Sequence, residues 1–189
     1  CPDFVDPIDK VRPNLDDVMA RRCPRDDLSE SGFLSWVGMR EMAKSGLIDI
    51  QSHAMTHTWY FSGPRIQKFH EPQDVTPYPW LFWNARPTRK PYYLNEDQQD
   101  FLPGGYPVLE HQKSLLATRF FPDEQAVAKI TAFVAERGGR SFFNKPDWRA
   151  TLEQRISKLF KNGILPGRYE TESERAARIR EELQRSRTL

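Results

Sequence analysis

The sequence predicts an α/β protein in which a helix and a short strand precede a long connection and then a helical region. A favourable helix start stands at Ser35, and a short apolar alternation follows over 47–51. Helix start signals then recur within 122–189. We therefore expect an α/β region over 1–60, an irregular connection over 61–121 and a helical insert over 122–189.

The first predicted helix begins after Ser35, whose hydroxyl is a good N-cap. Gly46 can end it, because glycine readily adopts the left-handed conformation that closes many helices. Leu47, Ile48 and Ile50 then predict a short strand. In α/β folds ligands bind at the carboxyl ends of strands, so residues just after 51 are where chemistry is expected.

The connection over 61–121 combines many prolines with many aromatic side chains. Proline interrupts regular elements, so we expect irregular backbone here. Aromatic faces could form a groove that stacks on sugar rings. The alternative, which we favour for most of them, is that these side chains pack the loop onto the domain. Trp59 and Tyr60 are better substrate-binding candidates, because they follow closely after His53 and His57, a candidate pair of metal ligands.

Three helices are predicted in the helical insert. Asp123 and Asp147 can cap the first two. Thr171 and Glu174 have the spacing of a capping box for the third. For that third helix we expect supportive charge pairs four residues apart and a narrow apolar stripe. The expected pairs are Glu174–Arg178 and Glu181–Arg185, and the expected stripe is Ala176, Ile179 and Leu183.

Composition excludes few classes of function but argues against two kinds of partner. The 189 residues include 28 basic and 26 acidic side chains, a net charge of +2. This balance gives no reason to expect a nucleic-acid partner, and no apolar run reaches transmembrane length. Cys1 and Cys23 form no disulfide framework; they could pair if close, but we expect free thiols. Localisation is not indicated.

His53 and His57 are the most informative residues, because a helical turn between them would point both imidazoles the same way. Imidazole is a common zinc ligand. The spacing by itself also fits an ordinary surface or hydrogen-bonded pair. A zinc protease helix would need a Glu after the first histidine, and Ala54 stands there instead.

The surrounding segment 33–59 reads FLSWVGMREMAKSGLIDIQSHAMTHTW. It resembles the central segment of the polysaccharide deacetylases, the NodB-homology enzymes of carbohydrate esterase family four. Their pattern is a helix with W-x-x-(I/L/M)-R-E-M, a glycine, a strand and S-H-(S/T)-x-x-H; Ala54 departs from it. The likeness is closest over 28–61 and weaker over 118–187, where some members carry a helical insert.

This resemblance implies a partial NodB-type distorted (β/α) barrel and a metal-dependent hydrolysis of acetyl groups on a glycan. It implies that His53 and His57 bind a divalent metal, zinc being the first expectation, and that an acetylated glycan is the partner. Trp59 and Tyr60 remain the candidate substrate-binding residues. The alternative is a non-catalytic carbohydrate-binding or structural module that keeps only part of the metal motif.

Family motifs that supply the catalytic base and the third metal ligand are not found in this chain. The family places two aspartates in T-F-D-D after a strand, whereas Asp16-Asp17 and Asp26-Asp27 lie in polar surroundings. We interpret both pairs as solvated or capping carboxylates. No residue of the chain is therefore assigned a catalytic role, and whether it is an enzyme stays open. From the two ends of the sequence we expect a central piece of a longer polypeptide.

Overall fold

A computed structural model describes residues 1–7, 12–28, 33–51, 53–71, 78–95 and 101–188. Helices and strands are mixed, as an α/β assignment requires. The chain divides into two compact units, which are described separately below. The first unit comprises Cys1–Thr56, Trp83–Asp97 and Glu182–Leu189, and the second comprises His57–Phe82 and Gln98–Glu181.

Helices are the main secondary structure, with short 3-10 turns between them. The α-helices of the described residues are α1 (Leu15–Met19), α2 (Trp36–Lys44), α3 (Pro79–Ala85), α4 (Glu124–Ala135), α5 (Trp148–Leu159) and α6 (Glu172–Thr188). The 3-10 turns are Pro2–Phe4, Arg25–Asp27, Pro87–Asn95, Gly139–Asn144 and Lys161–Gly163. The strands are β1 (Trp59–Phe69), β2 (Pro107–Lys113), β3 (Phe120–Pro122) and β4 (Gly167–Tyr169).

Helix α2 begins and ends as predicted. The Ser35 hydroxyl accepts a hydrogen bond from the Gly38 amide at 3.0 Å, which satisfies one amide of the first turn. At the other end Gly46 has φ +69°, the left-handed conformation that ends a helix with least strain in glycine. The local signals in this segment were therefore sufficient to place the helix.

The strand predicted at Leu47, Ile48 and Ile50 does not form, and that expectation is corrected. No strand is assigned over 47–51, and the side chain of Leu47 is 89% exposed. A strand needs a neighbour for its backbone hydrogen bonds. Among the described residues, none of the pairing partners of the named strands lies within 47–51. The apolar alternation over 47–51 therefore belongs to an irregular segment that is not paired in a sheet.

Aromatic side chains form the interior of the first unit. Phe4 contacts Phe33 and Trp83, each with ring centroids 4.9 Å apart, and Tyr93 lies 5.3 Å from Trp83. Edge-to-face packing such as that of Phe4 on Trp83 is favoured by the ring quadrupoles. In this way the 3-10 turn at Pro2–Phe4 is held against the 3-10 turn at Pro87–Asn95.

The second unit contains the longest strand, inside the segment that was expected to be irregular. β1 pairs antiparallel with β2, from Trp59 opposite Lys113 to Phe69 opposite Pro107. The register slips between Phe61 and Ile66, so Pro64 lies where a missing backbone donor is tolerated. The prolines thus distort the strand instead of preventing it.

The expected partial barrel is not present among the described residues. Their strands form two separate two-stranded sheets, β1 with β2 and β3 with β4, and both are antiparallel. A barrel needs a sheet that closes on itself. Four strands paired in this way cannot do so.

Helices α4 and α5 pack in the second unit. Buried positions on both helices share its apolar interior, namely Ile130, Val134, Leu152 and Ile156. Asp123 caps α4 as predicted, accepting a hydrogen bond from the Ala126 amide at 2.7 Å. Asp147 precedes α5, but its side chain makes no capping hydrogen bond. Position before a helix therefore did not guarantee a cap.

Helix α6 has the predicted capping box and a different buried face. The Thr171 amide donates to Glu174 at 2.7 Å, and the Glu174 amide donates to Thr171 Oγ1 at 3.2 Å. Glu174 pairs with Arg168 and not with the expected Arg178, since both Arg168 guanidinium nitrogens reach it at 2.9–3.0 Å. Leu183 of the expected apolar stripe is 49% exposed. The charged side chains of Arg178 and Glu182 are instead among the least exposed of the helix.

Candidate metal centre

The segment that carries the predicted metal ligands is an irregular turn with a buried middle. Ala54 and Met55 are buried, whereas His53 is exposed. The Met55 carbonyl accepts a hydrogen bond from the Asp3 amide at 3.2 Å. Burial of Ala54 and Met55 therefore fixes the turn, and the imidazole of His53 is left exposed to solvent.

Cys1 and His53 lie together in the first unit. The thiol sulfur of Cys1 and an imidazole nitrogen of His53 are within 4.8 Å of one another. Zn–S and Zn–N bonds of about 2.3 Å and 2.0–2.1 Å put two ligands of a tetrahedral zinc roughly 3.5 Å apart. A small side-chain rotation closes the difference, so thiolate and imidazole are a donor pair that suits zinc.

His57 is the first residue of the second unit, four residues beyond His53. Its side chain is exposed and its φ is +45°, a left-handed conformation that is uncommon for residues other than glycine. Such backbone strain tends to occur at functional sites. Its role as a metal ligand stays a prediction.

Cys1 and His53 line a cleft of the first unit with a volume of about 460 Å³. Its walls combine apolar side chains with a few polar ones: Pro2, Val5, Trp36, Met39, Ile50, Gln51, Ser186 and Arg187. This volume is in the range of small-molecule sites, which are also mostly apolar with a few placed polar groups. Helix α2 and the extended segment after it therefore contribute a wall of the cleft.

Thr56 is held by two buried charged residues. Its amide and its hydroxyl donate to the carboxylate of Glu182 at 2.8 and 2.9 Å. Its carbonyl accepts a hydrogen bond from the ammonium group of Lys90. Every polar group of Thr56 thus has a charged partner, and these hydrogen bonds are stronger than neutral ones.

Lys90 is only 2% exposed and lies among rings and carboxylates. Its Nζ is 4.4 Å from the Phe4 ring centroid and 3.8 Å from the Asp3 carboxylate. Burial lowers the pKa of Lys90 to about 8, although the charges of Asp3 and Glu182 oppose the change. Burial also raises the pKa of Asp3. The ammonium ion is therefore costly to keep in this place.

The two predicted substrate-binding aromatics lie in β1 of the second unit. Trp59 packs against His111 with ring centroids 5.7 Å apart. The Tyr60 ring has the guanidinium groups of Arg119 and Arg178 at 4.3 and 5.2 Å from its centroid. Both rings thus have neighbours within the second unit, and the substrate role of both residues stays a prediction.

Histidine and aspartate side chains elsewhere in the chain make structural contacts or face solvent. His111 Nδ1 is 2.8 Å from the Leu109 carbonyl oxygen. Asp17 accepts a hydrogen bond from the Asn14 amide in the capping box of α1, and Asp26 and Asp27 are exposed. The interpretation of these carboxylates as solvated or capping is confirmed. Cys1 and Cys23 are both free thiols, as expected.

Three residues near the site were not identified from the sequence. Cys1 had no spacing signal toward His53, and Lys90 and Glu182 resemble ordinary surface charges in a sequence. The residues that line the cleft, taken from the described part of the chain, include no carboxylate that could act as a base.

Searched over the described residues, no helix combines the length and the apolar character that crossing a bilayer requires. Comparisons with protein-family models, with curated proteins and with solved structures found no match to this chain.

Proposed function

We propose that this chain carries the metal-binding part of a metal-dependent carbohydrate deacetylase, which hydrolyses acetyl groups on a glycan. The observation that carries the proposal is the Cys1–His53 pair, with ligand atoms within 4.8 Å, at a cleft of about 460 Å³. The resemblance over 28–61 supports the reaction and assigns His57 to the same ion as His53.

In this proposal His53 and His57 supply neutral imidazoles and Cys1 supplies a thiolate to one zinc ion. The bound metal would lower the pKa of a water molecule to about 7 and polarise an acetamide carbonyl. Trp36, Met39 and Ile50 would surround the acetyl methyl group and exclude bulk water from it. Each role belongs to a residue whose chemistry suits it.

The general base is not among the residues that we assign. Deacetylation needs a group that accepts a proton from the attacking water, and the described lining of the cleft lacks a carboxylate. We therefore expect the chain to bind zinc and to turn over substrate poorly by itself. This observation also favours the second candidate, a module that binds a metal or a glycan without hydrolysis.

Zinc titration by calorimetry tests the metal assignment. The parent should bind one zinc ion, and His53→Ala and His57→Ala should each weaken binding at least tenfold. Cys23→Ser and His111→Gln, which alter the same residue types elsewhere, should leave the affinity unchanged. If the parent binds no better than the His53 and His57 variants, the proposal is wrong.

Cobalt substitution tests the thiolate ligand. A thiolate bound to Co²⁺ gives an intense near-ultraviolet charge-transfer band, which should appear in the parent and in Cys23→Ser but vanish in Cys1→Ser. Acetate release from N-acetylglucosamine oligomers, measured with zinc or cobalt present, then separates the candidates. Slow release that His53→Ala abolishes favours the deacetylase, and glycan binding without any release favours the module.

A further inference from the structure

Thr56 lies one residue before His57 and three after His53, so its backbone conformation affects where both imidazoles can point. Two residues from distant parts of the first unit bind it. The Glu182 carboxylate accepts hydrogen bonds from the Thr56 amide and hydroxyl at 2.8 and 2.9 Å, and the Lys90 ammonium group donates to the Thr56 carbonyl. The two peptide groups that flank Thr56 are thus each held by a buried charged side chain.

Holding the Thr56 backbone with two buried charged side chains has a high desolvation cost. Lys90 is 2% exposed and Glu182 is 7% exposed, whereas buried lysine and glutamate are rare in proteins. Removing two charges from water costs more than burying apolar side chains of similar size. A loop that needed only to be covered could be covered by leucine or methionine at lower cost.

Neither charged residue is needed to line the cleft. The lining residues in the described part of the chain include His53 and Cys1, but not Lys90 or Glu182. Their polar contacts are directed instead at Thr56 and at Asp3, whose own amide binds the neighbouring Met55 carbonyl at 3.2 Å. The network therefore acts on the backbone between the histidines and not on the open site.

We propose that Glu182 and Lys90 are positioning residues that fix the two peptide groups flanking Thr56 and so orient the proposed metal ligands His53 and His57. This inference rests on the proposed function. Groups that orient metal ligands through a second layer of hydrogen bonds commonly change metal affinity 10- to 100-fold when they are removed. Preorganised ligands bind a metal more tightly because less motion is lost when the ion arrives.

The test compares zinc affinity with the thermal stability of the metal-free chain. Glu182→Ala should weaken zinc binding about tenfold or more, and Glu182→Gln, which keeps an acceptor for the Thr56 amide, should restore part of it. Thr56→Val, which removes only the hydroxyl, should cost a smaller factor. Affinities are measured well below each variant's melting temperature, so that only folded protein is compared.

A matched control separates positioning from general stability. Asp6→Asn perturbs the ion pair that the buried Asp6 makes with the half-buried Arg12 in the same unit. It should lower the melting temperature but leave zinc affinity within twofold of the parent. Amide hydrogen exchange at Thr56 gives a readout without metal, and it should be slow in the parent and in Asp6→Asn but fast in Glu182→Ala.

The two levels of the proposal fail in different ways. If the parent does not bind zinc, the proposed function is wrong and the positioning role falls with it. If the parent binds zinc and the Glu182 and Thr56 variants bind it equally well, only the positioning inference is wrong. If Glu182→Ala does not fold, Glu182→Gln and Thr56→Val decide the matter by the same comparison.

Discussion

Arg178 Nη2 lies 2.6 Å from Glu170 Oε1 in the second unit, and the same guanidinium group donates to the carbonyls of Ser114 and Ala117 at 2.6 and 2.9 Å. The carboxylate is almost fully buried. Burial alone would raise the pKa of Glu170, but hydrogen bonds from Arg178 and from the Arg119 amide outweigh it and hold this pKa below its usual value. Arg178 therefore joins α6 both to Glu170 and to the turn at 114–117.

Arg178→Met should destabilise the second unit strongly. Removing one member of a buried pair leaves the other charge uncompensated, which costs about 3–5 kcal/mol. Two carbonyl oxygens also lose their donor. Urea denaturation measures the free energy of unfolding. Arg180→Met, an exposed arginine on the same helix, is the control and should change it by less than about 0.5 kcal/mol. Equal effects of both substitutions would contradict the importance of the pair.

Lys90 should make the stability of the first unit increase with pH in the alkaline range. Its folded-state pKa is about 8, below the value of about 10.4 expected in the unfolded chain. Between these values the unfolded chain binds the proton that the folded chain releases, so the free energy of unfolding rises with pH. The gain across this window of about 2.4 pH units is roughly 3 kcal/mol, at about 1.4 kcal/mol per pH unit.

Lys90→Met isolates that contribution, because it removes the titrating group and keeps an unbranched apolar side chain. Unfolding curves at several pH values between 7.5 and 10.5 should show a smaller slope in the variant, by up to one proton. Groups that do not interact with Lys90 contribute equally to both proteins and cancel in the difference. The amino group of Cys1 does not cancel, because the charge of Lys90 helps to lower its pKa. Parallel curves would mean that Lys90 keeps an ordinary pKa.

Gly105→Ala should be costly because this position lacks room as well as requiring a positive φ. At φ +80° a β-carbon would lie 2.6 Å from Val134 Cγ2, in the buried interior of the second unit. Overpacking and backbone strain each cost about 1–3 kcal/mol. Gly139 also has a positive φ, +55°, but a β-carbon there meets nothing within 4 Å. Gly139→Ala should therefore cost only about 1 kcal/mol. Thermal unfolding compares the two, and a similar cost for both would show that strain alone matters.

Asp123→Ala and Asp147→Ala test whether a cap is defined by position or by contact. Only Asp123 accepts a hydrogen bond from a first-turn amide, so its replacement should cost about 1 kcal/mol. Asp147→Ala should cost less than half of that. Chemical denaturation of the two variants under the same conditions gives the comparison, and the reverse order would contradict the capping geometry.

Local signals in the sequence were sufficient for several helices. Hydrogen bonds to backbone amides three residues away define the helix starts at Ser35, Asp123 and Thr171. A single left-handed residue, Gly46, ends α2. Such interactions need no distant partner, and this is why they could be predicted. The candidate donors His53 and His57 were likewise identified from a spacing within one segment.

Tertiary structure decided what depends on partners far apart in the chain. The apolar residues at 47–51 formed no strand because strand formation needs a neighbouring backbone, and β1 formed despite Pro64 because β2 supplied one. Cys1 lies within 4.8 Å of His53 although 52 positions separate them in the sequence, and Glu182 binds Thr56 across 126 positions. The sequence by itself determined the helix ends and the residue types available for a metal. Tertiary packing determined which of those residues are in contact. Contacts between residues far apart in the sequence depend on how all the apolar side chains are buried together, and not on the conformational propensity of each segment.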